Sequence, residues 1–276
     1  MARPAPRPRT LFSTEYSRNL TPAGLRTLRS GGGFVDGELE IFRSLVRNER
    51  TVDPDDLCAA AGPLVLLSDG DEVDYSRQGK GLTAIPRDVT GLELLRCRAR
   101  GILFIETGVI ALRLAEMELW KRFRLLLVSS RGLPHPQARS LLRRLQDQFR
   151  LPIYLLTDND TWGYFIFSVL KRGALAPGAT DPKLALKDVR FLGVRAGDFA
   201  ELGEENRLLR WEALWDSRLA AMGRYPCFRS RSWKDEFRRF REQKGKAEIA
   251  ALRLWHDRRQ ASDYLNRKLK GGEWLT

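Results

Sequence analysis

The sequence predicts an α/β fold, a parallel sheet with helices on both faces, and two observations carry that prediction. Three apolar runs, "GILFIE" from Gly101, "FRLLLVSS" from Phe123 and "PIYLLTD" from Pro152, show no polar alternation, as expected of strands covered on both sides. Segments with helical spacing lie between them on short links, and alternation of strand and helix on such links builds a parallel sheet.

Residues 1–33 read as a flexible lead-in, with prolines at positions 4, 6 and 8 and "SGGG" at 30–33. "FVDGELEIFRSLVRNER" can form one short amphipathic helix with Leu39, Phe42, Leu45 and Val46 on one side. The chain thus divides into a short, partly flexible extension, residues 1–60, and a body, residues 61–276. In the body, "GPLVLLSDGDEVDYS" reads as a strand, a turn at Asp69 and Gly70, and a return strand. "GKGLTAIP" supplies loop chemistry, and "DVTGLELLRCRA" is expected to be a helix.

After "GILFIE" the spacing predicts a helix with Val109, Leu112 and Leu114 apolar. "HPQARSLLRRLQDQF" is a second helix, with Pro136 near its first turn and Ala138, Leu141, Leu142, Leu145 and Phe149 in register. Trp162, Phe165, Ile166, Val169 and Leu170 mark a third, and "KDVRFLGV" reads as a fourth strand. From there the chain turns helical and basic, in "WEALWDSRLAAM", "SWKDEFRRFREQKGKAEIAALRLW" and "DYLNRKLKGG".

Lys and Arg number 48 against 35 Asp and Glu, for a formal net charge of +13, and residues 207–276 alone hold 18 basic and 9 acidic side chains. Such a concentration fits a polyanion partner, nucleic acid ahead of membrane, and on charge alone fits a solvated basic surface equally well. Cys58, Cys97 and Cys227 are far apart and odd in number, which fits ordinary thiols in a reducing compartment better than a disulfide scaffold. "MARPAPRPRTLF" is not followed by the apolar core of a secretory signal, and no apolar stretch approaches the roughly 20 residues of a membrane span. The expectation is an intracellular protein, cytoplasmic or nucleoid-associated, with no membrane partner.

The chemistry sits where the apolar runs stop. Glu106 closes "GILFIE", and Asp158 and Asp160 lie at and just beyond the end of "PIYLLTD". Residues i and i+2 of an extended chain point to one side, so the two aspartates converge and repel unless a cation lies between them. Ligands of open parallel sheets bind beyond the carboxyl ends of the strands, and if these strands are neighbours, three carboxylates meet at one edge. Oxygen donors of this kind suit Mg2+ or Mn2+, which keep several waters and share their remaining positions with phosphate oxygens. An isolated DxD after a strand is more often a turn or cap, and Glu106 is what favours the metal. In so basic a chain, the cluster reads as a phosphodiester-handling site.

The order "ILFIETGVIALRL", "LLLVSSRGLPHPQARSLLRRL", "LPIYLLTDNDTWG" resembles the Toprim domain of the A subunit of type IIB topoisomerases, the topoisomerase VI family that includes the meiotic double-strand-break transesterases. "DYSRQGKGLTAIP" resembles the loop leading into that domain, "LALKDVRFLGVRAGDF" the segment after it, and "GKAEIAAL" with "DYLNRKLKGGEWL" the family's C-terminal end. The resemblance runs from about residue 62 to residue 276. It implies a Toprim fold and a metal-dependent DNA cleavage subunit, normally a homodimer, that works with a separate ATPase subunit. It places the metal carboxylates on Glu106, Asp158 and Asp160, and puts Arg131, Lys80 and Lys246 in segments where a basic side chain can hold the DNA backbone.

The family carries its tyrosine nucleophile on a winged-helix domain before the Toprim fold. Here about 60 residues precede the match, without an Arg-Arg-Glu stretch followed by tyrosines, and Tyr16 in "FSTEYSRNL" is the one tyrosine among them. Tyr16 is therefore either a nucleophile or a surface residue, and a partner chain can supply the tyrosine instead. Thr107 stands where a lysine often follows the glutamate, and "SSRG" replaces a turn with glycine and lysine. Three alternatives stay open: a hydrolytic Toprim nuclease, a non-catalytic DNA-binding subunit of a larger complex, and a phosphotransferase of the haloacid-dehalogenase type. "DNDT" approaches the DxDxT of the last class, with Thr161 one position early, and "GDFAE" supplies that class's further acidic strand end poorly. His135 is expected at a helix entry and His256 in a basic helix, and Trp211, Trp215 and Trp233 are expected in the core rather than stacked on bases.

Overall fold

The computed structural model describes residues 58–276 apart from 87, 131, 177, 178, 206, 207 and 211–213. The expected helix at 34–50, Tyr16, Arg131 and Trp211 lie outside the described residues. In chain order the elements are β1 (Ala59–Ala61), β2 (Leu64–Ser68), β3 (Asp71–Asp74), β4 (Thr83–Ala84), β5 (Glu93–Cys97), β6 (Gly101–Ile105), α1 (Gly108–Glu116) and α2 (Leu119–Phe123). There follow β7 (Leu125–Ser129), α3 (Pro136–Phe149), β8 (Ile153–Leu156), α4 (Thr161–Arg172), β9 (Val189–Gly193), α5 (Asp198–Glu201) and β10 (Leu209–Arg210). The remainder is α6 (Leu214–Met222), α7 (Arg231–Gln243), β11 (Gly245–Lys246) and α8 (Arg258–Lys270), with short 3-10 turns at Pro226–Phe228, Ile249–Ala251 and Arg253–His256.

The central sheet has the order β4-β1-β7-β6-β8-β9. β7, β6, β8 and β9 run parallel, as the uninterrupted apolar runs predict, whereas β1 joins β7 antiparallel and β4 joins β1 antiparallel. Alternate residues feed two cores. Ile102, Phe104, Leu126, Val128, Ile153 and Leu155 face the layer of α3, α4, α6 and α7. Leu103, Ile105, Leu125, Leu127 and Leu156 face α1, α2, α8 and the turns before α8. Water is excluded from both faces, which is why these strands need no polar side.

Beside this body lies a three-stranded antiparallel sheet, β3-β2-β5. Asp69 and Gly70 both have positive φ, 51° and 90°, the two-residue turn that matches the strand twist. Here the sequence expectation fails: "DVTGLELLRCRA" contains β5, not a helix, paired antiparallel to β2. Leu92 and Leu94 are buried while Glu93 and Leu95 are exposed, a period of two that decides for a strand once β2 offers an edge. α1 differs in its buried side. Ile110, Ala111, Leu114 and Ala115 are buried, whereas Val109 is 61% exposed and Leu112 39%.

Helix ends follow local chemistry. His135 caps α3 by accepting from the Ala138 amide, with Pro136 in the first turn. His256 lies in the 3-10 turn before α8 rather than within a helix. Trp215 and Trp233 are buried, as expected. No described helix is long and apolar enough to cross a membrane.

Candidate functional site

The register of the central strands assembles the site. β6 and β8 are parallel neighbours with Ile105 opposite Leu156, so Glu106 and the "TDND" segment leave the sheet side by side. The Glu106 amide donates to Leu156 O at 3.0 Å, and the Asp158 amide donates to Glu106 Oε2 at 3.1 Å. The chain stays extended through Asp160, with φ −152° and ψ 179°, and α4 starts at Thr161. Asp158 and Asp160 therefore share a side, and Asn159 between them is fully buried on the other.

Each carboxylate is held. Asp158 Oδ1 accepts from the Ile249 amide at 2.7 Å, and Asp160 Oδ1 caps α4 by accepting from the Gly163 amide at 2.8 Å. The first of these bonds reaches across 91 positions, because residues 245–249 run antiparallel to "DND": Asn159 and Ala247 exchange main-chain hydrogen bonds at 2.7 and 3.0 Å. This places Lys246 and Glu248 at the aspartates.

Underneath, Asn159 Nδ2 donates to Tyr164 Oη at 3.1 Å and to Val194 O at 3.2 Å, while Gln243 Nε2 donates to Asn159 Oδ1 at 2.8 Å. Tyr164 in turn donates to the buried Glu236 Oε1 at 3.0 Å, which also accepts from the Ala196 amide at 2.7 Å. Arg195 completes the anchor through Glu236 Oε2 at 3.2 Å. Satisfied buried networks of this kind fix one arrangement.

Burial, followed by repulsion from Asp158 and Asp160, pushes the Glu106 carboxyl well above the usual range. Burial raises Asp158 to about 6, against the Ile249 hydrogen bond, while Asp160 and Glu248 add to the rise and Lys246 opposes it. Asp160 is also raised, first by burial, with the Gly163 amide, Lys246 and Arg218 pulling it down. Three carboxylates that resist ionisation together form a site that a cation would relieve. As they stand, no three His, Cys, Asp or Glu side chains among the described residues are drawn to metal-ligand spacing. The donor chemistry nonetheless fits a hard divalent ion: all three groups offer oxygen, and Asp158 and Asp160 each have one held by a main-chain amide and a second beside it.

Lys246 thus joins Glu106, Asp158 and Asp160. Lys80 is exposed and acts on Glu118 at the far end of α1, where the Lys121 hydrogen bond, Lys80 and Arg258 hold that carboxyl low. Sequence reasoning missed Glu248 and Arg218. Arg218 lies over Trp162 at 5.0 Å and donates to Thr161 Oγ1 at 3.4 Å. Neither had a local signal, since each reaches the site from another element. Asn159 did have one: the residue between two outward aspartates on a strand must point inward.

An open depression of about 650 Å3 flanks the cluster on the Glu106 side, lined by Glu106, Thr107, Ser129, Leu82 and the exposed Val109 and Leu112. Asp198, the acidic residue of "GDFAE", is committed elsewhere, accepting from Lys268 Nζ at 2.7 Å and Tyr264 Oη at 2.8 Å.

Acidic strand ends on adjacent parallel strands, between two helical layers, define a Toprim-type α/β domain. The chain belongs to the family of the Toprim domain shared by the topoisomerase 6 A subunit and Spo11, whose model matches residues 101–269. It is similar to the A subunit of type 2 DNA topoisomerase 6 from Hyperthermus butylicus, 29% identical over 248 residues that cover 86% of this chain and 64% of that protein. The protein of the same name from Saccharolobus shibatae is 27% identical over the same shares. The A subunit of DNA topoisomerase 6 from Arabidopsis thaliana is 28% identical over 78% of this chain and 51% of its own length. The chain spans less than two thirds of these relatives.

Proposed function

We propose that this chain is a metal-dependent DNA cleavage subunit of the topoisomerase VI A type, acting on phosphodiesters through Glu106, Asp158 and Asp160. The observation that carries the reading is the Glu106 to Asp158 contact, 3.1 Å, at the carboxyl ends of adjacent parallel strands, with Asp160 two residues on. The relatives' names supply DNA and the topoisomerase class.

In this reading Glu106, Asp158 and Asp160 would hold Mg2+ or Mn2+, which would supply neutralisation of charge on the reacting phosphate. Asn159 and the Ile249 amide keep the aspartates oriented, and Arg218 favours the ionised form of Asp160. Lys246 lies where it can hold a phosphate oxygen, and Lys80 and Arg131 are assigned further phosphate contacts in this reading. The basic C-terminal region, α7 above all, supplies further phosphate contacts. The nucleophile is a tyrosine brought by a partner chain or by Tyr16. The protein acts inside the cell as a homodimer with an ATPase subunit, its body spanning residues 61–276 after the 1–60 extension.

A second reading is hydrolysis, in which the same carboxylates orient water and the chain is a nuclease. Plasmid cleavage by the purified protein with Mg2+ or Mn2+, resolved with and without protease digestion beside Asp158→Ala, separates the two. Protein-held ends support the tyrosine mechanism, and free nicked or linear DNA supports hydrolysis. Equal cleavage by Asp158→Ala overturns the carboxylate site. No cleavage under any condition, with DNA still bound, leaves a non-catalytic subunit in its place.

A further inference from the structure

We infer that the opposite edge of the central sheet, where its parallel strands begin, is a second nucleic-acid surface that holds a duplex other than the one at the carboxylates. This rests on the reading of the chain as a DNA-acting protein. Arg100, Arg124 and Arg150 precede β6, β7 and β8, three adjacent strands, and the Arg100 amide donates to Arg124 O at 2.7 Å, so two of the three stand side by side. Arg98 and Lys187 flank them in the connections before β6 and β9, and Arg122 lies in the last turn of α2, two residues before Arg124.

All six of these side chains are exposed, and none forms an ion pair with a described residue. The nearby acids are already answered: Asp147 pairs with Arg143 at 2.5 Å and Asp188 with Arg190 at 2.9 Å. The edge therefore presents a row of uncompensated cations at strand spacing, about 4.8 Å.

Arg100 and Glu106 flank the five residues of β6, so the row lies about 20 Å from Glu106 along the strand. A duplex is stiff over about 150 base pairs, so one segment does not fold around the domain to touch both edges. The row serves a second segment.

Phosphate backbone is favoured over an acidic protein. Protein interfaces need apolar or aromatic anchors at their centre. Among the described residues the exposed large apolar side chains, Leu95, Val109, Leu112 and Leu209, lie outside these connections. Five of the six cations are arginines, whose planar forks suit phosphate.

The test is bridging of two differently labelled short duplexes by the full chain, read as energy transfer between them. The triple variant Arg100→Glu, Arg124→Glu, Arg150→Glu is compared with wild type, and the matching Gln variant guards against misfolding. Bridging should fall at least about tenfold and lose about three units of salt slope, while single-duplex affinity shifts less than about twofold. Bridging unchanged in the triple variant overturns the inference and leaves the proposed function standing. Displacement of the second duplex by polyglutamate at lower concentration than by competitor DNA overturns it in favour of an acidic protein. Loss of all duplex binding in the triple variant, with Lys246→Ala neutral, overturns DNA binding at the carboxylate edge instead. Absence of duplex binding in wild type sinks both.

Discussion

The amide of Asp158 donates to Glu106 Oε2 across 3.1 Å, so the end of one strand fixes the carboxylate at the end of its parallel neighbour. Two residues 52 positions apart become one electrostatic unit, in which repulsion from Asp158 adds to burial in raising the Glu106 carboxyl.

Asp158→Asn should stabilise the metal-free protein and weaken its hold on Mg2+. Burial lifts Asp158 from its ordinary 3.8 to about 6, so between those values the folded state binds more protons than the unfolded state. Stability then falls as pH rises through that window, and the neutral amide removes the loss. The expected gain at neutral pH is about 1 to 2 kcal/mol, with a flatter stability profile between pH 4 and 6, measured by chemical denaturation. Calorimetric Mg2+ affinity should rise with pH through about 6 in wild type, as the cation displaces protons, and be at least about tenfold weaker in the variant.

Gly163→Ala should disturb the site at its backbone. A Cβ there would collide with Asp158 O and Thr157 Oγ1, because the first turn of α4 packs directly on "TD". We expect a loss of about 2 to 3 kcal/mol in stability, with Asp160 losing its Gly163 amide partner. Unchanged melting and unchanged Mg2+ affinity would contradict this packing.

Asn159→Ala should release Tyr164 and Gln243 together. Its side chain donates two buried hydrogen bonds and accepts one that is part-buried, so the loss is expected at about 2 kcal/mol, against about 1 kcal/mol for Tyr164→Phe. Hydrogen exchange should quicken in residues 157–163 and 245–251, where the two segments share hydrogen bonds, and stay slow in β6. An even rise across the chain would show a general loss of stability instead.

Lys268→Met should cost about 3 to 5 kcal/mol, since it leaves Asp198 charged and buried without its ammonium. The paired variant Lys268→Met, Asp198→Asn should recover part of that loss. Thermal unfolding of the three proteins measures it. This pair ties α8 to the first residue of α5, whose carboxylate also accepts from the Arg195 amide.

The parallel strands, the helices between them and the three carboxylates were legible in the chain alone, because short-range periods and the ends of apolar runs encode them. Asn159, the inward residue of an outward pair, carries a signal of the same kind but was missed. β5 was not legible: "LELL" suits a helix or a strand, and only the free edge of β2 decides between them. The outward side of α1 likewise depended on which face the sheet covered, leaving Val109 and Leu112 open to solvent. Strand order was also beyond the sequence, and it is what makes Glu106 and Asp158 neighbours. Glu248 and Arg218 reach the aspartates through long-range packing, whose loop-closure entropy is offset only by the assembled core, so no local pattern announces them, and Lys246 was indicated only by the resemblance of its segment.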